Sequence, residues 1–461
     1  MNLPAWLARG IYRAQEAAMR RPTFAMLAEI ERTQWLSRTD IEAYQARRLN
    51  RLLASALTHS PWHAERLRAA GLEAAVREYA VGLADLARLP TMSKRDAREN
   101  AERLVWRGVP GGAFPYTTGG SSGEPLIFHF GRERQASDAA GRMRARRWWG
   151  VEPGAREAYL WGAPVELNKT DRIKALRDRL VNQMVLNAFA MSPARMDAYL
   201  DALVAWQPHC LYGYASSIAL LAAHAEARGR TLRLPALRVV CTTGEPLYPH
   251  QRELIGRVFD VPVANEFGSR DIGFTAHEAP GGQILLMSES HIVEVLDAAG
   301  EAVTPGEAGE AVITGLTSTA QPFIRYRTGD VVRMSTQPAT GGQGLHVIAE
   351  VSGRQTDFVV AADGRMMHAL AVIYVLRAVA GIARFKCIQH TPLHMEVLVV
   401  PAAGWGEAGR LAVIDGLRAR LGEALTVDLR VVDDIPPEAS GKHRYVVSHV
   451  PLADVLKHAA A

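Results

Sequence analysis

Along the first hundred residues, apolar positions recur at spacings of three and four. Asp40-Ile-Glu-Ala-Tyr-Gln-Ala-Arg-Arg-Leu-Asn-Arg-Leu-Leu is the clearest amphipathic stretch, with Thr39 or Asp40 as its helix start. Gly71, Gly82 and the Leu89-Pro90 pair punctuate this region. Further on, short apolar runs alternate with helical pattern. Leu237–Thr243 reads as a strand ending at Gly244-Glu-Pro246, and Val261–Phe267 as another ending at Gly268. Alternation of this kind predicts a mainly parallel sheet whose ligands gather at the carboxyl ends of the strands. The period then shortens, with turns at Ala299-Gly, Pro305-Gly and Thr340-Gly-Gly, which predicts antiparallel strands. In the tail, Ala369–Val379 and Gly406–Leu425 read as helices. Phe385–Gln389, Glu396–Val400 and Val427–Val432 read as strands.

The expected fold class is therefore α/β. Residues 1–357 form a large N-terminal domain: a helical entry region over 1–110, an α/β core over 111–280 and a small antiparallel β subdomain over 281–350. Residues 358–461 form a small C-terminal α+β domain. A chain of 461 residues is too long for one ordinary core, which agrees with this division.

Composition narrows the function classes. With 48% hydrophobic and 22% charged residues, the chain reads as globular rather than disordered or fibrous. A net charge of +5 suits an anionic ligand such as a nucleotide but supplies no basic stripe for nucleic acid. Arg142-Met-Arg-Ala-Arg-Arg147 is read as a solvated helix face. Cys210, Cys241 and Cys387 lie far apart without C-x-x-C spacing, so neither a disulfide framework nor a cysteine zinc site is expected, and a reducing cytoplasm is the default. No apolar run is long enough to span a membrane, and arginines and glutamates interrupt the N-terminus where a signal peptide would be apolar.

The loop Thr118-Gly-Gly-Ser-Ser-Gly-Glu-Pro125 carries the richest chemistry. Its glycines free the backbone to wrap an anion, and Ser121 and Ser122 add donors. A Walker A loop would need Lys-Ser/Thr and a helix next, but Glu124-Pro125 and the apolar run Leu126–Phe130 follow. Gly119-Gly-Ser-Ser-Gly123 also matches the nucleophile-elbow pattern, yet an elbow serine sits on a strand-to-helix turn and a strand is expected here. Taken alone, the loop fits an ordinary glycine-rich hairpin equally well.

Further segments follow in order: Thr243-Gly-Glu-Pro-Leu247, Asn265-Glu-Phe-Gly-Ser-Arg-Asp-Ile-Gly273, Arg325-Tyr-Arg-Thr-Gly-Asp330, Gly353-Arg-Gln-Thr-Asp357 and Ser440-Gly-Lys-His-Arg444. With the loop, this set resembles the adenylate-forming superfamily of acyl-CoA synthetases, and within it the phenylacetate–CoA ligase and CapK-like branch. Tyr212-Gly-Tyr-Ala-Ser-Ser217 and Arg147-Trp-Trp-Gly150 fit that branch, and the resemblance covers nearly the whole chain.

The resemblance implies ATP-dependent activation of a carboxylic acid to an acyl-adenylate, then transfer to coenzyme A. Thr118, Gly120, Ser121, Ser122 and Gly123 would cradle the phosphates. Phe267 would stack on the adenine, Gly244, Glu245 and Pro246 would line the other side of the base, and Glu266, Gly268 and Ser269 would also take part in binding the nucleotide. Asp330 would accept from the ribose hydroxyls, Arg354 would contact phosphate or ribose, and Asp271 would hold Mg²⁺. Lys442 would reach the carboxylate and the α-phosphate from a mobile C-terminal domain that turns about Asp357. Trp161, Tyr212, Tyr214 and Ser216 are the acyl-pocket candidates for a compact, phenylacetate-like acid.

The chain departs from the pattern at Gly119, at Glu124 and at Asp271, which stands where a glutamate is usual. His277 and His291 lack cysteine partners, so no structural zinc is expected. An amine or carrier-protein thiol as acceptor, and a non-catalytic nucleotide-binding protein, stay open as alternatives; a hydrolase built on Ser121 is a distant reading. The expected partner is a small-molecule acid, and a homodimer is left open.

Overall fold

The structure is a computed structural model that describes residues 3–117, 126–162, 177–188, 191–245, 247–297, 299–351, 358–435 and 445–450. The entry region is helical, as its periodicity predicts. Its long helix Arg38–His59 starts one residue before Thr39 and two before Asp40, because Ser37 is the cap and its hydroxyl accepts the amide N–H of Asp40 at 3.1 Å.

Strands β1 (Phe114–Thr117) and β2 (Ile127–Phe130) pair antiparallel, with Thr117 opposite Ile127. A strand thus ends just before residues 118–125 and another begins just after them, and a helix begins only at Arg132. That helix, Arg132–Trp148, lies against one face of the main sheet.

Strands β3 (Glu157–Trp161), β4 (Gln183–Asn187), β5 (Cys210–Tyr214), β6 (Val239–Thr243) and β7 (Val263–Ser269) run parallel in the order β4-β3-β5-β6-β7. Helices Pro193–Trp206, Ala215–Ala227 and Pro249–Phe259 return the chain between them. They bury Leu160, Leu211, Val240 and Val263 on one face, the core of this region. The opposite face carries Tyr159, Cys210, Tyr212 and Cys241, since successive side chains of a strand alternate between faces.

The antiparallel strands extend this same sheet. β8 (Gly273–Glu278) pairs with β7, and β9 (Ile284–Leu286), β10 (His291–Leu296), β11 (Ala308–Gly315), β12 (Tyr326–Met334) and β13 (Val347–Val351) continue it in the order β9-β13-β12-β11-β10. Among the described residues one sheet of eleven strands results. The direction switches at β7, so the β7–β8 turn sits at the carboxyl end of the last parallel strand.

The tail adds a hairpin of β14 (Phe358–Val360) and β15 (Met366–His368), then a second sheet. β16 (Ile382–Thr391), β17 (His394–Pro401), β18 (Thr426–Val431) and β19 (Val446–Ser448) take the order β18-β17-β16-β19, with helices Leu370–Ala378 and Glu407–Leu421 packed on it. The strands begin and end within a few residues of their expected limits. Val360 also joins the core of the parallel region, and Tyr374 packs against it.

Candidate functional site

The carboxyl ends of β3 and β5 present an aromatic wall. Trp161 stacks on Tyr214 with ring centres 4.4 Å apart and planes 15° apart, and on Tyr212 at 5.6 Å and 22°. Position dictates this contact. Leu160 and Gly213 are opposite each other in the β3–β5 ladder, which brings the residues after them together. Gly213 has no side chain because a Cβ there would lie 2.3 Å from the carbonyl oxygen of Leu160. Three of the four acyl-pocket candidates thus meet. Ser216 is buried in the first turn of the following helix. Its amide donates to Glu245 at 3.1 Å, and its hydroxyl has no hydrogen-bond partner among the described residues.

Gly244 follows β6 with φ +77°, and a Cβ there would press on the Tyr214 ring at 3.2 Å. The glycine therefore lets the Gly244–Glu245 backbone lie directly against the aromatic wall. On β7 the buried Glu266 accepts from the hydroxyls of Tyr212 at 2.8 Å and Thr243 at 3.1 Å. Phe267 is 8% exposed and packs with Leu126, Phe128 and Tyr326, an apolar setting for the residue expected to meet adenine.

Asp271 caps no helix. It lies in the β7–β8 turn, where its carboxylate accepts from Ser269 Oγ through Oδ1 and from Tyr326 at 2.8 Å through Oδ2. Arg134 fixes the turn from beneath, donating to the carbonyls of Asp271 at 2.8 Å and Arg270 at 3.1 Å while pairing with Asp138. Asp138 in turn accepts the amide of Phe274 at 3.0 Å. Gly273 makes room for this, because a Cβ there would sit 2.4 Å from Asp138 Oδ1. Arg270 reaches across the turn to the carbonyl of Thr117, at the end of β1, at 3.3 Å.

Asp330 lies inside β12 next to a register shift opposite Glu310 and Val312. Its amide donates to Thr328 Oγ1 at 3.1 Å, and Gly329 takes φ +74°. Sequence reasoning missed Arg134, Asp138, Arg270 and Tyr326. Only the i,i+4 spacing of Arg134 and Asp138 on one helix hinted at a pair. Thr118, Gly120, Ser121, Ser122, Gly123, Pro246, Arg354, Asp357 and Lys442 lie outside the described residues, as does Glu124.

His277 and His291 are fully buried, and each bonds a backbone carbonyl, Glu278 and Ile272 respectively. Desolvation pushes their pKa values down to about 3 and about 4, so both rings are neutral at pH 7. Cys210 and Cys241, distant in sequence, lie on adjacent strands with their sulfurs 3.7 Å apart. Among the described residues no helix is long and apolar enough to cross a membrane.

Residues 359–449 match the CapK C-terminal domain family. Protein CapK of Staphylococcus aureus is 20% identical over 377 residues, covering 80% of this chain and 82% of that protein. Phenylacetate-coenzyme A ligase of Thermus thermophilus is 24% identical over 345 residues, covering 70% and 73%. The tail thus matches a CapK C-terminal domain, and most of the chain is similar in sequence to CapK and to a phenylacetate–CoA ligase. A solved 2-hydroxyisobutyryl-CoA ligase, bound to 2-HIB-AMP and CoA in its thioesterification state, has the same fold as this chain. Its TM-score is 0.63 at 20% identity, with 93% of both chains covered. The postadenylation complex of that ligase with R3-HIB-AMP scores 0.59 at 18% identity.

Proposed function

We propose that this CapK-like protein is an AMP-forming acid–CoA ligase. The observation that carries the reading is the placement of the aromatic wall, the Gly244–Glu245 backbone and the Asp271 turn around the carboxyl ends of the parallel strands, where such a sheet binds ligands. In this reading a carboxylate oxygen attacks the α-phosphorus of ATP and pyrophosphate leaves. The sulfur of coenzyme A then attacks the acyl carbon and AMP leaves.

Positioning and charge neutralisation do the work in both steps. Ser121, Ser122 and the glycines around them hold the β- and γ-phosphates, Asp330 takes the ribose hydroxyls and Arg354 a phosphate or ribose oxygen. Lys442 contacts the carboxylate and the α-phosphate during adenylation, and residues 358–461 turn about Asp357 before thioester formation. Each oxygen of the Asp271 carboxylate accepts one hydrogen bond from a hydroxyl and keeps a lone pair, so the group fits a hard cation. Mg²⁺ there would offset the negative charge of the triphosphate. The stacked Trp161, Tyr212 and Tyr214 support a flat, compact acid.

The match of the tail to the CapK C-terminal domain favours one second reading, in which an amine or a carrier-protein thiol accepts the acyl group. Acid-dependent ATP–pyrophosphate exchange tests adenylation, and its absence across aryl and aliphatic acids would overturn both readings. Release of AMP on adding coenzyme A separates them.

A further inference from the structure

Beneath the aromatic wall lies a buried polar group in which only Tyr212 and Glu266 carry an assigned role. Trp161 and Tyr214 occupy the carboxyl ends of their strands. Two residues back on the same face, ~7 Å deeper, come Tyr159 and Tyr212. Tyr212 joins the two levels, since its ring stacks on Trp161 and its hydroxyl donates to Glu266. Arg142 and Arg146 stand one helical turn apart on Arg132–Trp148, with the Arg142 guanidinium 5.8 Å over the ring of Phe274 on β8. Arg146 pairs through Nε with Glu157 at 2.5 Å and lies 4.9 Å over the Tyr212 ring, while both its terminal nitrogens are buried without a hydrogen-bond partner among the described residues.

Arg142 differs. Its Nε is buried without a hydrogen-bond partner among the described residues, and the Oε2 of Glu266 is buried in the same condition. The other oxygen of Glu266 is already held by Tyr212 and Thr243. A buried donor on a cation and a buried acceptor on an anion, both unanswered, each carry a desolvation cost of roughly 1–3 kcal/mol or more. Direct pairing would relieve both, yet these two atoms make no hydrogen bond to each other. Burial opposes the charge on Arg142, but Tyr212 and Glu266 more than offset it and the guanidinium stays cationic.

We propose that the acid handled by this site carries a hydroxyl group at the end remote from its carboxylate, and that this hydroxyl accepts from Arg142 while donating to Glu266. A hydroxyl answers both demands at once, which an alkyl or phenyl end cannot. Arg142 and Glu266 are then specificity-determining residues for the acyl group. This inference rests on the ligase reading for the location of the acyl pocket, and it replaces an unsubstituted phenylacetate-like acid with a hydroxylated one.

The test uses matched acid pairs, 4-hydroxyphenylacetate against phenylacetate and 6-hydroxyhexanoate against hexanoate. Binding to the full chain is followed by calorimetry and activation by ATP–pyrophosphate exchange. At least one hydroxylated acid is expected to be favoured on the order of 10²-fold or more over its unsubstituted partner, because a site built for a hydroxyl rejects an analogue that lacks it. In Arg142→Gln that ratio should fall toward one, with folding checked by circular dichroism. Glu266→Gln, which puts a donor where the hydroxyl needs an acceptor, provides an independent second variant. Equal binding of both members of each pair to the native protein, or a preference undiminished in both variants, overturns the proposal. Exchange without a hydroxyl preference would leave the ligase reading standing and sink this inference. A hydroxyl preference in binding without any exchange would do the reverse.

Discussion

The hydroxyl of Tyr326 donates to Oδ2 of Asp271 across 2.8 Å, tying β12 to the β7–β8 turn. Met92 holds the same tyrosine from the other side, through backbone bonds to Arg325 and Arg327 at 2.7 and 2.8 Å. Entry region, antiparallel strands and proposed metal-holding carboxylate are therefore coupled through one residue.

Tyr326→Phe keeps the ring in its apolar cluster and deletes only the donor. The expected loss of stability is about 1 kcal/mol. The exchange rate at limiting Mg²⁺ should fall by roughly ten-fold, since 1.4 kcal/mol corresponds to that factor. Chemical denaturation and exchange assays read the two effects, and an unchanged exchange rate would remove Tyr326 from the site.

Buried histidines make stability depend on pH. Nε2 of His63 donates to the carbonyl of Pro322 at 2.9 Å, while its Nδ1 accepts from Arg66, also at 2.9 Å. Desolvation first, and then the Arg66 charge, lower its pKa from 6.5 to about 3. His277 is lowered to about 3, and His291 and His346 to about 4. The unfolded chain binds protons that the folded one refuses, so this stability is fully present above pH 6.5 and is lost as pH falls toward 3. Each fully buried ring should cost on the order of 2 kcal/mol between pH 6.5 and pH 5. Urea midpoints at pH 7 and pH 5 measure it, and equal midpoints would contradict it.

Much of the architecture is legible in the residues because the signals are local. Apolar runs with glycine ends mark β6 and β7, and the strand after Pro125 already argues against a nucleophile elbow. Arg325-Tyr-Arg-Thr-Gly-Asp330 shows the limit of that reading. Sequence singled out Asp330, but Arg325, with φ +53°, donates to the carbonyls of Ala87 and Leu89 and pairs with Glu294 at 2.9 Å. Tyr326 reaches Asp271 across 55 residues, and Arg134 reaches it across 137. No spacing rule links partners so far apart. Arg142-Met-Arg-Ala-Arg-Arg147, read as a solvated face, instead buries Arg144 and Arg146, because Glu289 and Glu157 lie across from them in the folded chain alone.

The Arg144–Glu289 pair anchors that helix, with 2.6 Å between the charges and each side chain 1% exposed. Arg144 also donates to the carbonyl of Ile30, and Glu289 accepts from Thr33, so the second entry helix, Thr23–Thr33, depends on both. Arg144→Met leaves a carboxylate buried without its cation and should cost about 3–5 kcal/mol. The double variant Arg144→Met, Glu289→Met should recover most of that loss. Denaturant titration of the single and double variants checks this, and additive losses would show that the charges do not act as a pair.

Lys442 gives the sharpest division between the two half-reactions. If its ammonium serves the incoming carboxylate and the α-phosphate, it acts only while the acyl-adenylate is being made. Lys442→Ala should then lose exchange by on the order of 10²-fold or more, the scale set by removing one charge-stabilising donor from a transition state. The same variant, supplied with synthetic acyl-adenylate, should still consume it on adding coenzyme A, because the lysine has by then turned away with residues 358–461. Pre-steady-state measurement of both steps on one preparation makes the comparison internal. Equal loss of the two would mean that Lys442 supports folding or nucleotide binding in general, and the proposed turn about Asp357 would lose its main support.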